Sequence, residues 1–414
     1  MKFNTVSMED CLEVIIDYRG KTPNKSEEGI MTLSAKSVKN NYIDYSQCYY
    51  ISEDEYKKFM VRGLPRKGDI LLTTEAPLGM VAKLDRDDIA IAQRLLTLRG
   101  KDGVLDNDYL RYYLQSPIGQ SSLKMRETGT TVTGIKQKEF RKMEIKIPAY
   151  NIQKKVSSIL NSIDDKIKLN NVINNNLEQQ AVLLFKKWFI EFNNTSRSML
   201  ETRFGLIPDS FKLLKNDELP LVVTDYVANG SFASLKANVT LYQEPNYAYF
   251  IRNTDLKSET FKVFVDEHSY NFLSKSTLFG GEIIISNVGD VGSVFLCPKL
   301  DKPMTLGNNI IMLRPEQENL RYYLYIWFKW LYGQSLIQGI KGGSAQPKFN
   351  KTDFKNLPIF LPPDDLLEQF HKIVKPMFEL IDENNSENQA LTITRDALLP
   401  KLMSGELDVS DIDL

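Results

Sequence analysis

Two sets of short polar segments in this chain combine a cation or an amide with small hydroxyls. Such side chains can read base edges and grip phosphates. The segment Tyr18-Arg19-Gly20-Lys21-Thr22 offers Arg19, Lys21 and Thr22 on a turn-prone loop, arginine or lysine suiting guanine and threonine a phosphate or a base. The corresponding loop of the second half, residues 229–236, carries Ser231, Ser234 and Lys236 instead. Lys36 and the pair Arg252, Asn253 follow the next strand of each half, and Thr73, Thr74 and Ser286, Asn287 follow a Gly-Asp/Glu-Ile strand. Gln93 with Arg94, and Asn308 with Asn309, add amides, the bidentate partners of adenine. Two small, basic loops supply Thr130, Thr131 and Lys136 in one half and Ser344, Lys348 and Asn350 in the other, and have the make-up of phosphate clamps. Any one of these taken singly is more often a solvated loop residue. As two unlike sets they predict two unlike targets.

Catalytic chemistry finds no such support. There are two histidines, His268 and His371, and neither has a cysteine or carboxylate at metal-ligand spacing, so both read as surface or packing residues. Gly20-Lys21-Thr22 copies the end of a phosphate loop. The first glycine of that motif is replaced by Ile15, and Pro23 stands where the helix should begin. Leu361-Pro362-Pro363-Asp364 lacks the aromatic residue and leading amide or acid of an amino-methyltransferase motif, and reads as a joint between a domain and a capped helix start at Asp364-Asp365.

The elements that must hold these loops are written twice. Lys67-Gly68-Asp69-Ile70-Leu71-Leu72 followed by Gly79 returns as Gly280-Gly281-Glu282-Ile283-Ile284-Ile285 followed by Gly292. Leu98-Arg99 returns as Leu313-Arg314, and Leu110-Arg111-Tyr112-Tyr113-Leu114 returns letter for letter at 320–324. Segments 129–135 and 140–148 match 343–349 and 354–362. An ordered series in near-constant register marks an internal repeat, which changes the fold expected. Each unit reads as short Ile-, Leu- and Val-rich strands punctuated by glycine, with one helix near 110–122 or 320–338. The aromatic run 322–330 could stack bases, but its counterpart opens a helix and core packing is the better reading.

Each unit then runs into a long helix. From 149 to 192 there is no proline or glycine, and apolar residues recur at Ile152, Val156, Ile159, Ile163, Ile167, Ile173, Leu177, Ala181, Leu184 and Trp188. At ~1.5 Å per residue the helix would be roughly 60 Å long. Asn170 and Asn174 interrupt its seam, a device that fixes register and partner. A second seam runs through Phe370, Ile373, Met377, Leu380 or Ile381, a polar patch at 384–388, then Leu391, Leu398 and Leu402, with Pro376 a candidate kink. Two such helices predict an antiparallel pair, with helix length acting as a ruler between two heads on DNA, whose half-sites recur on one face every ~10 bp.

Composition agrees with a soluble, cytoplasmic protein. The chain has 414 residues, 42% of them hydrophobic and 25% charged, no run long enough to span a membrane and no signal-peptide core. Cys11, Cys48 and Cys297 form neither a disulfide framework nor a zinc motif. The net charge of −1 conceals an uneven spread: nine cations against three anions over 123–155, and four cations against twelve acids over 364–414.

In this order, and duplicated, these motifs resemble the specificity subunit of type I restriction–modification systems. The likeness extends to the helix openings Ile152-Gln153-Lys154-Lys155-Val156 and Leu367-Glu368-Gln369-Phe370, and to the closing 398–407. It implies a mixed α/β (α+β) chain with a pseudo-twofold internal repeat: two target-recognition domains, 1–148 and 208–362, separated by a long antiparallel two-helix coiled coil. Its helices would be 149–192 and 363–404, with a linker at 193–207 and an acidic tail at 405–414. It further implies a non-catalytic subunit that reads a bipartite site in double-stranded DNA and binds two methyltransferase (modification) subunits and restriction subunits. Neither a membrane nor a small-molecule substrate is expected. No cofactor would belong to this chain; S-adenosylmethionine would sit in the methyltransferase partner, and ATP and Mg in the restriction partner. The alternative is a scaffold that recruits protein partners through its helix pair without touching DNA.

Overall fold

A computed structural model describes residues 1–129, 133–193, 198–202, 205–343 and 346–412. The chain divides into two compact units, Met1–Asn170 with Ser386–Leu414, and Asn171–Asn385. Among the described residues no helix is long and apolar enough to cross a membrane.

The first unit contains β1 (Phe3–Ser7), β2 (Leu12–Asp17), β3 (Ile30–Leu33), β4 (Tyr49–Ile51), β5 (Ile70–Thr73), β6 (Val81–Lys83), β7 (Ile89–Ile91), β8 (Leu95–Gly100) and β9 (Glu144–Pro148). An antiparallel sheet has the order β2-β8-β5-β6, a smaller one the order β4-β3-β7 with β3 and β7 parallel, and β1 pairs with β9. The residues of β5 are buried throughout because both faces of its sheet are covered. Side chains alternate along a strand. Ile70 and Leu72 therefore enter a core shared with the helix Asn107–Gln115, while Leu71 enters the core under the smaller sheet.

Beyond the central helix, the second unit has a hairpin of β10 (Met199–Thr202) and β11 (Gly205–Pro208) and then repeats that plan. Its strands are β12 (Lys212–Lys215), β13 (Leu221–Asp225), β14 (Leu241–Tyr242), β15 (Ala248–Ile251), β16 (Phe264–Val265), β17 (Thr277–Leu278), β18 (Ile283–Ser286), β19 (Val294–Leu296), β20 (Met304–Leu306), β21 (Ile310–Pro315) and β22 (Pro358–Leu361). The sheet β13-β21-β18-β19 corresponds to β2-β8-β5-β6, and the parallel pair of β15 and β20 to that of β3 and β7. Ile283 and Ile285 face the helical core and Ile284 the second one, as in the first unit.

The recurring motifs now have a physical cause. Arg99 grips Asp69 with two hydrogen bonds of 2.7 and 2.8 Å, and Arg314 grips Glu282 at 3.2 and 3.0 Å. Both acids are nearly buried, so each needs its arginine. Gly79 and Gly292, at φ of 91° and 96°, let Gln120 and Gln334 donate to their carbonyls at 2.9 and 2.8 Å. A Cβ at either glycine would meet the glutamine amide oxygen at 2.6 or 2.9 Å. The aromatic run of the second unit is core: Tyr323, Trp327 and Phe328 are buried, and His371 stacks on Tyr322 at 5.5 Å. Burial lowers the pKa of His371, whose ring packs there against Tyr322.

The central helix is Tyr150–Phe189 and the terminal helix Asp364–Ser404, the latter running through Pro376 without a break. In the first unit Val156 and Leu160 join Leu399, Leu402 and Met403 in one core. Asn170 is fully buried and donates to Glu387 Oε2 at 2.7 Å and Asn388 Oδ1 at 2.9 Å. In the second unit Asn174 donates to Asn385 at 2.8 Å and accepts from Asn384 at 2.7 Å. The two helices thus pair antiparallel within each unit, and the polar patch of one supplies the partners of the other's amides.

The seam differs from its expected course in the second unit. Phe185 and Phe189 are buried, while Leu184 and Trp188, which the periodicity places on the seam, lie at the core's edge. Val374 and Phe378 are buried, whereas Ile373 and Leu380 are 42% and 40% exposed. Each helix contacts globular core as well as its partner, which favours a wider stripe whose largest aromatic side chains take the innermost positions.

Candidate nucleic-acid interface

Strand pairing alone brings the candidate loops of the first unit to one edge. Asp17, at the end of β2, is paired with Leu96, and Thr73, at the end of β5, with Leu95 at the start of β8. The parallel neighbours β3 and β7 end together at Leu33 and Ile91, so the turn bearing Lys36 and the turn bearing Gln93 and Arg94 leave from the same end. The backbone then ties the loops: Thr74 N–H donates to Arg94 O at 3.0 Å, Ile135 N–H to Thr74 O at 2.9 Å, and Glu75 bridges to Gly134.

The second unit makes the same knots. Asp225 and Ser286 end β13 and β18 beside Ile311 and Ile310. Asn287 N–H donates to Asn309 O at 3.1 Å, Phe349 N–H to Asn287 O at 3.0 Å, and Val288 bridges to Lys348. Gly307 N–H bonds Ile251 O at 2.7 Å, placing Asn308 and Asn309 beside the Arg252 turn.

The side chains at these edges are unlike. In the first unit Arg19, Lys21, Lys36, Arg94 and Lys136 are exposed, as is Thr22, while Gln93 is half-buried. Glu75 stands between Arg94 Nε at 2.8 Å and Arg19 Nη2 at 3.9 Å. Arg62 supports the first loop from beneath, donating to Asp17 O at 2.9 Å and Arg19 O at 3.3 Å. In the second unit Asn308, Asn309 and Lys348 are exposed, Asn287 is half-buried, and Lys351 pairs with Asp225 at 3.1 Å. Lys257 holds Asp290 at 2.6 Å, which keeps that carboxyl below its usual range.

Several expected contact residues are engaged within the protein instead. Thr73 is buried and its hydroxyl accepts from Met80 N–H at 2.9 Å; Ser286 is likewise buried, 3.4 Å from Val288 O. Thr74 is 8% exposed and joins the edge through its backbone. Arg252 is held by Asp255 at 2.9 and 2.6 Å, with Asn253 half-buried beside it. Asn350 caps the helix Lys351–Lys355 by accepting from Asp353 N–H at 2.8 Å. The 229–236 segment is only partly a loop: Ser231 caps a helix, Phe232–Asn238, that carries half-buried Ser234 and exposed Lys236 and packs on Glu267–Phe272. Thr130, Thr131 and Ser344 lie outside the described residues.

No motif in the sequence marks Glu75 or Arg62. The repeat places Val288 opposite Glu75, so comparison of the halves hid the acid, and Arg62 acts through backbone carbonyls that no motif marks. Among the described residues no group of three or more His, Cys, Asp or Glu could hold a metal ion.

The comparisons with known proteins match this duplicated plan. Residues 2–179 and 227–394 match the type I restriction modification DNA specificity domain. The type I restriction enzyme MjaIX specificity subunit of Methanocaldococcus jannaschii is 28% identical over 369 residues, 87% of this chain and 82% of that protein. The type I restriction enzyme HindI specificity subunit of Haemophilus influenzae is 24% identical over 402 residues, 83% of this chain and 87% of its own length. The S subunit of a type I restriction–modification system from M. genitalium shares the fold, with a TM-score of 0.58 at 16% identity over 97% of this chain and 96% of that one. Matched over most of its length, and in both repeats, the chain belongs to the type I restriction–modification DNA specificity family.

Proposed function

We propose that this chain is the non-catalytic sequence-recognition subunit of a cytoplasmic type I restriction–modification complex, each unit reading one half of a bipartite, asymmetric site in double-stranded DNA. The observation carrying this reading is that two units of one topology present the same loop edge with different chemistry. Cations around a carboxylate occupy the first edge, and amides with a lysine the second. The same scaffold with exchanged side chains is what two unlike half-sites require. The paired helices would set the spacer and dock two methyltransferase subunits and, with them, restriction subunits. S-adenosylmethionine would then be held by the former, and ATP and Mg by the latter.

The test is a gel-shift titration with random and genomic duplexes, with the methyltransferase partner present. Sequence-selective binding that weakens steeply with salt is expected. Equal affinity for all duplexes, or none, overturns the proposal.

A further inference from the structure

Arg94 and Asn309 occupy one position of the repeat, and the backbone around them is the same. Each follows the second strand of the parallel pair, and each carbonyl accepts from the residue just past the Gly-Asp/Glu-Ile strand, Thr74 at 3.0 Å and Asn287 at 3.1 Å. Each is exposed and each has a positive φ, 70° and 65°. Glycine would adopt that conformation freely, yet neither unit has glycine there; asparagine tolerates it better than most residues and arginine does not. A side chain is therefore kept at a place where the backbone disfavours one, which points to what the side chain does.

Their surroundings differ in the sense their chemistry demands. Arg94 has Glu75 against its Nε, and no hydrogen bond from its two Nη groups forms with the described residues. Among the described residues, none bonds the end-on fork that matches guanine O6 and N7. Glu75 also offsets the repulsion between Arg94 and Arg19 and lies along the Nε edge of the Arg94 guanidinium. Asn309 is neutral and needs no such holder, and Val288 replaces Glu75. An amide is the bidentate partner of adenine N6 and N7.

We infer that Arg94 reads a guanine in the half-site of the first unit with Glu75 as its positioning residue, and that Asn309 reads an adenine at the equivalent place in the other half-site. This rests on the DNA-recognition reading above and adds base identity and a residue pair to it.

The experiment is binding by the full chain with its methyltransferase partner to duplexes carrying every single-base change in the site. Arg94→Ala should weaken cognate binding roughly 10- to 100-fold and erase preference at one guanine of one half-site. Arg94→Lys should keep affinity for random DNA yet lose that preference, since it keeps charge without the fork. Glu75→Gln should blunt the same preference without lowering affinity for random DNA. Asn309→Ala should relax a single adenine in the other half-site. Thermal melts of each variant verify folding. The inference is overturned if Arg94→Ala weakens all duplexes equally, if the relaxed base is not guanine, if Glu75→Gln leaves that preference intact, or if Asn309→Ala relaxes no adenine. Absence of selectivity in the unaltered complex would instead refute the broader proposal.

Discussion

Asp164 on the central helix and Arg395 on the terminal helix meet at 3.0 Å, and the same carboxylate accepts from Tyr112 Oη at 2.7 Å and Arg111 Nη1 at 3.3 Å. One acid thus joins both helices to the globular part of the first unit, with Arg111 only 6% exposed. Asp164→Ala leaves that arginine buried against Asn161 and Asn41 without its nearer countercharge, with Asp108 remaining at 3.7 Å. We expect a loss of about 3–5 kcal/mol in urea unfolding. A change below about 1 kcal/mol would show the cluster to be well solvated.

The aromatic clasp of the second unit predicts an apolar counterpart. Phe189 lies 5.0 Å from both Tyr323 and Phe370, ring centre to ring centre, with Phe185 packed beside it. Phe189→Ala should destabilise this unit by roughly 3–5 kcal/mol, through lost transfer energy and an unfilled cavity. Leu183→Ala on the same helix, at a position 58% exposed, should change stability by less than about 0.5 kcal/mol. Chemical denaturation of the two variants side by side makes the comparison.

Acid should loosen the contact between Glu318 and the terminal helix. Lys375 donates to Glu318 Oε1 at 2.9 Å and holds its carboxyl below the usual range. A pKa depressed by folding gives stability that is present above the unfolded value of 4.5 and is lost as pH falls through the folded value. Glu318→Gln should therefore flatten the dependence of the urea midpoint on pH on the acid side of 4.5, and leave it unchanged near neutrality. An unaltered slope would remove Glu318 from the acid response.

The buried amides predict a specificity role for the helix pair. Asn170→Leu replaces a buried polar group with an apolar one, so stability should hold or rise while the register of the pair becomes less strictly defined. Disulfide trapping between cysteines placed at positions 166 and 387, which carry an ion pair of 3.1 Å, reads register directly. The variant should also trap cysteines one turn away; trapping only at the native register would assign register to the apolar contacts instead.

If helix length is the ruler, seven residues inserted after Asn175, with seven more after Asn385, add about 10 Å of helix. The recognised site should gain roughly three base pairs of spacer, at ~3.4 Å per pair, with both half-sites unchanged. Sequencing of methylated bases in cells carrying the altered complex measures this. Altered half-sites would refute the ruler.

Local pattern determined much of this protein. The doubled Gly-Asp/Glu-Ile strands, the returning Leu-Arg-Tyr-Tyr-Leu helix and two proline-poor or amide-studded seams mark the repeat and both long helices, because periods of 2 and 3.6 residues are written in neighbouring positions. The loop edges were legible as lists of polar residues, but not which members face outward. Thr73 and Ser286 look as available as Thr22 in the sequence and are buried. Glu75 looks incidental and sits between two arginines. Such differences arise from pairings between distant strands, Thr73 with Leu95 and Asp17 with Leu96, and from backbone ties such as Thr74 to Arg94. Those contacts close long loops and leave no periodic trace in the chain, so tertiary structure alone decided which side chains meet at the edge.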